Sequence, residues 1–144
     1  MAEFINNAEQ TVLSNQNVLL NDSIPCPNGY VIHRNGSGIV TLRGIVNNPC
    51  GTFARYTVTF NANIAVPTGG TVGEIGVALA IDGEAVQTSR AVVTPAAVEE
   101  YWNVTSTAII TVPRGCCYTV AVENISADTS INVMNANLVI TRTA

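Results

Sequence analysis

The sequence predicts an all-β protein, a sandwich or barrel of about eight to ten antiparallel strands with no substantial helix. Three observations carry that expectation. Apolar and polar residues alternate with a period of two through several long segments. Those segments are rich in β-branched residues, and Gly, Pro and Asn clusters separate them at intervals of about 8–12 residues. Charge is also scarce: 11% of the 144 residues are charged, against about 25% in an ordinary soluble domain.

Gln16 to Leu20 reads as a short strand, closed by Asn21-Asp22 and by Pro25 and Pro27. Tyr30 to His33 and Ile39 to Val46 follow, separated by the turn Asn35-Gly36-Ser37-Gly38. Pro49-Cys50-Gly51 then breaks the chain. Ala54 to Val66 reads as one long strand, with Tyr56, Val58, Phe60, Ala62 and Ile64 on one face and Thr57, Thr59, Asn61 and Asn63 on the other. After the loop Pro67-Thr68-Gly69-Gly70, Glu74 to Ile81 sets Ile75, Val77, Leu79 and Ile81 against Gly76, Ala78 and Ala80. Asp82-Gly83 is a strong two-residue hairpin signal, and it would pair Leu79 with Val86 and Ala80 with Ala85.

Residues 94–100 suggest a helical turn, with Pro95 at its first position. Trp102, Val104, Ala108, Ile110 and Val112 mark another strand face, with Trp102 expected in the core. Pro113-Arg114-Gly115 turns the chain into a strand from Cys116 to Asn124, and Ile131 to Thr141 carries the last one. No period of 20–50 residues repeats, so a solenoid is excluded.

All six cationic side chains are arginines, and lysine is absent. Lysine is a common device for keeping β-edges apart, so a chain without it is expected to pack against copies of itself. The net charge is −4, with no basic patch, which argues against nucleic acid as a partner. The mean hydropathy is +0.30, yet no apolar run approaches the roughly 20 residues of a membrane helix. The first residues, Met1 to Asn7, lack the basic and apolar regions of a secretory signal, so synthesis in the cytoplasm is expected.

The candidate chemistry is sparse. Cys26 and Cys50 sit in loops beside prolines, whereas Cys116 and Cys117 are adjacent at a strand start. Parity puts Cys116 with Tyr118, Val120 and Val122 on a buried face, and Cys117 on the opposite one. The four thiols are open to three readings. They are buried or incidental; or a disulfide forms, Cys26 with Cys50 or between subunits through Cys117; or they hold zinc, for which no Cys-x-x-Cys pair exists. His33, the one histidine, has no metal-ligating or catalytic company. Glu99-Glu100 beside Tyr101-Trp102 reads as a solvated loop, since adjacent carboxylates in an extended chain diverge. No catalytic constellation, metal site or cofactor site is expected.

Two sets of residues suggest subunit packing. Phe4 and Ile5 lie in a polar N-terminal arm, residues 1–10, that either frays or docks on a neighbouring subunit. Gly76, Ala78, Ala80 and Ala85 form a small-residue face that either admits another backbone or is a lightly covered solvent face.

The C-terminal third carries a resemblance. Trp102-Asn103-Val104-Thr105-Ser106-Thr107-Ala108-Ile109-Ile110-Thr111-Val112-Pro113-Arg114-Gly115 is followed by Cys117-Tyr118-Thr119-Val120-Ala121-Val122-Glu123-Asn124 and by Ala136-Asn137-Leu138-Val139-Ile140-Thr141-Arg142. These stretches, with Tyr56-Thr57-Val58-Thr59-Phe60 and Val77 to Gly83, resemble the tumour-necrosis-factor-like jelly roll. The closest type caps bacterial collagen-like spore-surface glycoproteins and has phage structural relatives. The chain departs from it in having Cys116-Cys117 where many relatives have Gly-Asp, and in lacking a Gly-X-Y stalk.

The resemblance covers Ile39 to Thr143 and implies a jelly-roll sandwich that assembles as a tight homotrimer, with residues 11–144 read as that single domain. It implies a structural role at a virion or at a spore or cell surface, with self as the main partner, other virion or surface proteins beside it, and no enzymatic activity. The other function the sequence admits is a carbohydrate-binding module, with Tyr101 or Tyr30 stacking on the ligand.

Overall fold

The computed structural model describes residues 2–24, 30–33, 36–44, 53–127 and 130–143. Among them, twelve strands run in chain order: β1 (Ala2–Asn6), β2 (Gln10–Val12), β3 (Asp22–Ile24), β4 (Val31–His33), β5 (Val40–Arg43), β6 (Phe53–Ala65), β7 (Ile75–Ile81), β8 (Glu84–Ala85), β9 (Ala91–Val93), β10 (Trp102–Pro113), β11 (Cys117–Asn124) and β12 (Ile131–Arg142). They form two antiparallel sheets. The first has the order β10-β6-β12-β1-β3, with β2 also on β12; the second has the order β4-β5-β11-β7-β8, with β9 also on β7. The expected all-β sandwich is the observed architecture. The strand count exceeds the expectation by β1, β2, β3 and β9, which are five residues or shorter and show too little alternation to be read.

The core lies between the sheets. Phe4, Tyr56, Phe60, Leu138 and Ile140 from the first sheet meet Leu42, Ile75, Leu79, Val120 and Val122 from the second, all fully buried. Every even residue of β6 from Ala54 to Ile64 points inward and every odd one up to Asn63 points out, as the alternation requires. Tyr56 places its hydroxyl between the sheets, donating to the Arg43 carbonyl at 2.5 Å.

Residues 2–6 are not a frayed arm but part of the first sheet. They form β1, paired with both β12 and β3, and Ala2, Phe4 and Asn6 all face inward. Buried Asn6 is satisfied: its Nδ2 donates to Leu19 O at 3.0 Å, and its Oδ1 accepts from Ala8 N at 3.1 Å.

Two further expectations are corrected. Gln16 to Leu20 joins the second sheet and its neighbours through isolated bridges, Asn17 with Glu123 and Leu20 with Ser37, rather than as a strand. Residues 94–100 contain no helical turn. Glu99 instead takes a positive φ of 59°, donates its N–H to Val66 O, and accepts from Thr68 N at 3.0 Å. The last strand stands as expected in β12 but carries a bulge between Met134 and Asn137. Ile131 and Val133 face inward before it, and Ala136, Leu138 and Ile140 after it, so the bulge shifts the inward parity. Asn135 supplies the left-handed residue, with φ 58°. The 79–86 hairpin stands as expected, with Ala80 opposite Ala85 and Val86 N bonded to Leu79 O.

Candidate functional site: an uncharged sheet face

The outer face of the first sheet is built by the odd residues of β6 and β10 and by their partners on β12 and β1. Its cross-strand rows follow directly from the register. One row is Thr107–Thr59–Val139–Glu3, and the next is Thr105–Asn61–Asn137–Ile5. Ile109–Thr57–Thr141 and Asn103–Asn63–Met134 flank them. On β10, β6 and β12 these rows are uncharged; the charges stand at the margins, Glu3 on β1, Asp22 opposite Ile5 on β3, and Arg55 one row beyond Thr57.

The polar groups of this face satisfy one another. Asn103 Nδ2 donates to Asn61 Oδ1 at 2.9 Å and to Asn63 Oδ1 at 3.2 Å. Thr105 Oγ1 donates to Asn61 Oδ1 at 3.0 Å, and the Thr59 and Thr107 hydroxyls lie 3.2 Å apart. At the bulge, Asn63 Nδ2 donates to Asn135 Oδ1 and Asn135 Nδ2 donates to Asn7 Oδ1. Amides and hydroxyls paired this way cost less to remove from water than unpaired ones. Among them stands Ile109, 67% exposed. Sequence alternation marked Thr57 to Asn63 as a polar face. It did not show that β10 and β12 extend the same surface on either side, because strand order is not legible in a pattern of period two.

The residues expected to pack subunits are placed differently from one another. Phe4, Gly76, Ala78 and Ala80 are already buried within the single chain. A Cβ on Gly76 would meet Val92 Cγ1 at 2.6 Å, so the close neighbour of this glycine is the chain's own β9. Ile5 is half-buried on the uncharged face. Half-buried Ala85 lines an open cleft of about 360 Å³ with Ile81, Asp82, Glu84, Val86 and Tyr118.

The two tyrosines proposed for ligand stacking also differ. Tyr30 has the Arg142 guanidinium 3.9 Å from its ring centroid, so one ring face is already covered. Half-buried Tyr101 lies just before β10, near Glu9, Glu99 and Asn132. Burial, followed by the negative charge of Glu9 and Glu99, pushes its phenol above the ordinary value. Asn132 holds the two carboxylates in place, its Nδ2 donating to Glu9 at 3.1 Å and to Glu99 at 3.3 Å. Trp102 is outside the core, against expectation. It is 48% exposed, whereas Val104 on the same face is 4% exposed. It opens β10, the edge strand of the first sheet, and its Nε1 donates to Glu100 Oε1 at 3.0 Å.

Cys26 and Cys50 lie outside the described residues, so a bond between them is not placed. Cys116 is exposed rather than buried, and so is Cys117. The turn after β10 runs one residue further than parity counting assumes: Cys116 N donates back to Pro113 O, and β11 begins only at Cys117. Among the described residues, no group of three or more His, Cys, Asp or Glu side chains could hold a metal ion. No helix of the described residues is long and apolar enough to cross a membrane.

No family model matches the sequence, and no curated protein matches it significantly. Solved structures do match. The globular domain of zebrafish complement 1qA protein superposes with a TM-score of 0.59 at 16% identity, over 96% of this chain and 94% of that one. The Eiger TNF of S. frugiperda superposes with a TM-score of 0.66 at 12% identity, over 100% of this chain and 92% of that one. The fold is therefore the jelly roll shared by C1q-type and TNF-type domains.

Proposed function

We propose that this chain is a structural subunit that associates with copies of itself, as a homotrimer or a larger assembly, through the outer face of the first sheet. The observation that carries the reading is the distribution of charge. The chain bears a net charge of −4, so identical copies repel over most approaches. Where they cross β10, β6 and β12, the rows centred on Thr59 and Asn61 present neutral groups, their amides and hydroxyls mutually satisfied. That is where two copies meet at least electrostatic cost. The resemblance to trimeric jelly rolls and the absence of lysine support the same reading. In this role the protein belongs to a virion, as a head decoration or fibre component, or to a spore or cell-surface layer. It is made in the cytoplasm and acts without enzymatic chemistry.

The test is Thr59→Lys. Thr59 is half-buried and faces outward, so a lysine there leaves the core intact and can extend into water when the chain is alone. Buried unpaired in an interface, that charge costs several kcal/mol. The variant is expected to keep its β-sheet circular dichroism while its native mass falls to that of one chain. An unchanged native mass would place the contact elsewhere.

A second reading is favoured by one observation. Tyr101 lies near Glu9, Glu99 and Asn132, and the next residue, Trp102, exposes its indole, so aromatic and polar groups of the kind that suit a sugar meet at the start of β10. This reading expects a glycan-array signal that is lost in both Tyr101→Ala and Trp102→Ala. Silence of the unaltered protein on the array counts against it.

A further inference from the structure

We propose that Cys116 and Cys117 are a pair of cross-linking thiols, each able to bond a different neighbouring copy, so that oxidation converts the protein into a covalent polymer. Both side chains are exposed and free. Their backbone is held firmly. Cys116 N donates to Pro113 O at 3.1 Å, Cys116 O accepts from Gly44 N at 2.9 Å, and Cys117 pairs with Arg43 in the ladder. A Cβ on Gly44 would press against the carbonyl oxygens of both Pro113 and Cys116, so the turn has no room to shift inward.

Rigidity and adjacency together decide what the thiols can do. Consecutive Cα atoms across a trans peptide are about 3.8 Å apart. Disulfides span about 4.4–6.8 Å between Cα atoms. Cys116 and Cys117 therefore do not bond each other without distorting the turn, and each requires a sulfur from elsewhere. One exposed thiol per chain gives at most a dimer, whereas two make the chain divalent.

The oxidant is a small-molecule disulfide such as oxidised glutathione. A thiolate of one copy attacks it, forms a mixed disulfide and releases one glutathione. A thiolate of a second copy then attacks the protein sulfur and releases the other glutathione. The two electrons and two protons given up by the protein thiols end on the two glutathiones. This inference extends the self-association reading to covalent bonding, but the sheet-face contact and the disulfide are separate interactions.

The experiment uses the reduced full-length chain exposed to oxidised glutathione, quenched with N-ethylmaleimide, and resolved on denaturing gels without reductant. Four proteins are compared: the unaltered chain, Cys26→Ser/Cys50→Ser, and that double variant carrying in addition either Cys116→Ser or Cys117→Ser. Disulfide-linked peptides of the unaltered chain are mapped by mass spectrometry, which requires no variant to fold. The expected result is a reducible ladder beyond dimer in the first two proteins and dimer alone in the others, with linked peptides joining residues 116 or 117 of different copies. The inference is overturned if Cys116 or Cys117 maps to Cys26 or Cys50 of the same chain, if only glutathione adducts form, or if single-thiol variants still polymerise. Light scattering in reducing buffer separates the two contacts. A reduced monomer that still forms the ladder keeps the thiol inference and removes the sheet-face reading; a reduced oligomer without a ladder does the reverse.

Discussion

Gly44→Ala is expected to destabilise the chain markedly, although it adds one methyl group. Gly44 is buried just after β5, and an added Cβ would overlap the carbonyl oxygens of Pro113 and Cys116, the latter at 2.9 Å. Both obstacles are backbone, so no side-chain rotation relieves them. Either the 113–116 turn moves away and the bond from Gly44 N to Cys116 O breaks, or the strain stays in place. Loss of a backbone hydrogen bond costs about 1 kcal/mol, and forced overpacking about 1–3 kcal/mol. Together they make a loss of about 2–4 kcal/mol. At this chain length that lowers the thermal midpoint by about 6–15 °C. Differential scanning calorimetry of the reduced protein measures the shift, and hydrogen exchange at Cys117 to Val120 reports whether the β5–β11 ladder loosens. A midpoint within 1 °C of the unaltered protein, with unchanged exchange, would refute the argument.

Other perturbations test other parts of the account. Tyr56→Phe keeps the buried ring but removes the donor to Arg43 O, so stability should fall by about 1–3 kcal/mol. This would be read as a lower urea midpoint with an unchanged slope. Tyr101 has its folded-state phenol raised above the unfolded value. Its contribution to stability is thus fully present below the ordinary phenol range and is lost as pH rises through the folded value. Tyr101→Phe should therefore flatten the alkaline fall of the thermal midpoint, and an identical fall in both proteins would contradict this cause. Asn135→Val puts a β-branched residue at a φ of 58° and should cost about 1–3 kcal/mol, measured by urea denaturation, whereas Asn135→Gly, which loses the exposed bonds to Asn63 and Asn7 but fits the backbone, should cost less.

Long strands were legible in the sequence, and short ones only where turn residues bounded them, as at β4 and β8. β6 and β10, thirteen and twelve residues long, show several periods of alternation, and Asp82-Gly83 fixes its hairpin through local backbone preference alone. β1 is five residues, with an inward Asn6 that reads as polar until Leu19 and Ala8 supply its partners. Cys116 was misplaced because parity counts residues but not the length of the preceding turn. Trp102 was misplaced because it opens β10, the edge strand of the first sheet, where an inward-facing side chain has no neighbouring strand on one side to cover it. The candidate face was half legible: the Thr and Asn alternation is local, whereas the neighbours that widen it come from strands far apart in sequence.

The native mass of the unaltered chain, by light scattering at low micromolar concentration in reducing buffer, tests self-association most directly. The account predicts a particle of at least three times the 15.1 kDa chain mass, held without disulfides. A 15.1 kDa species under those conditions would contradict it.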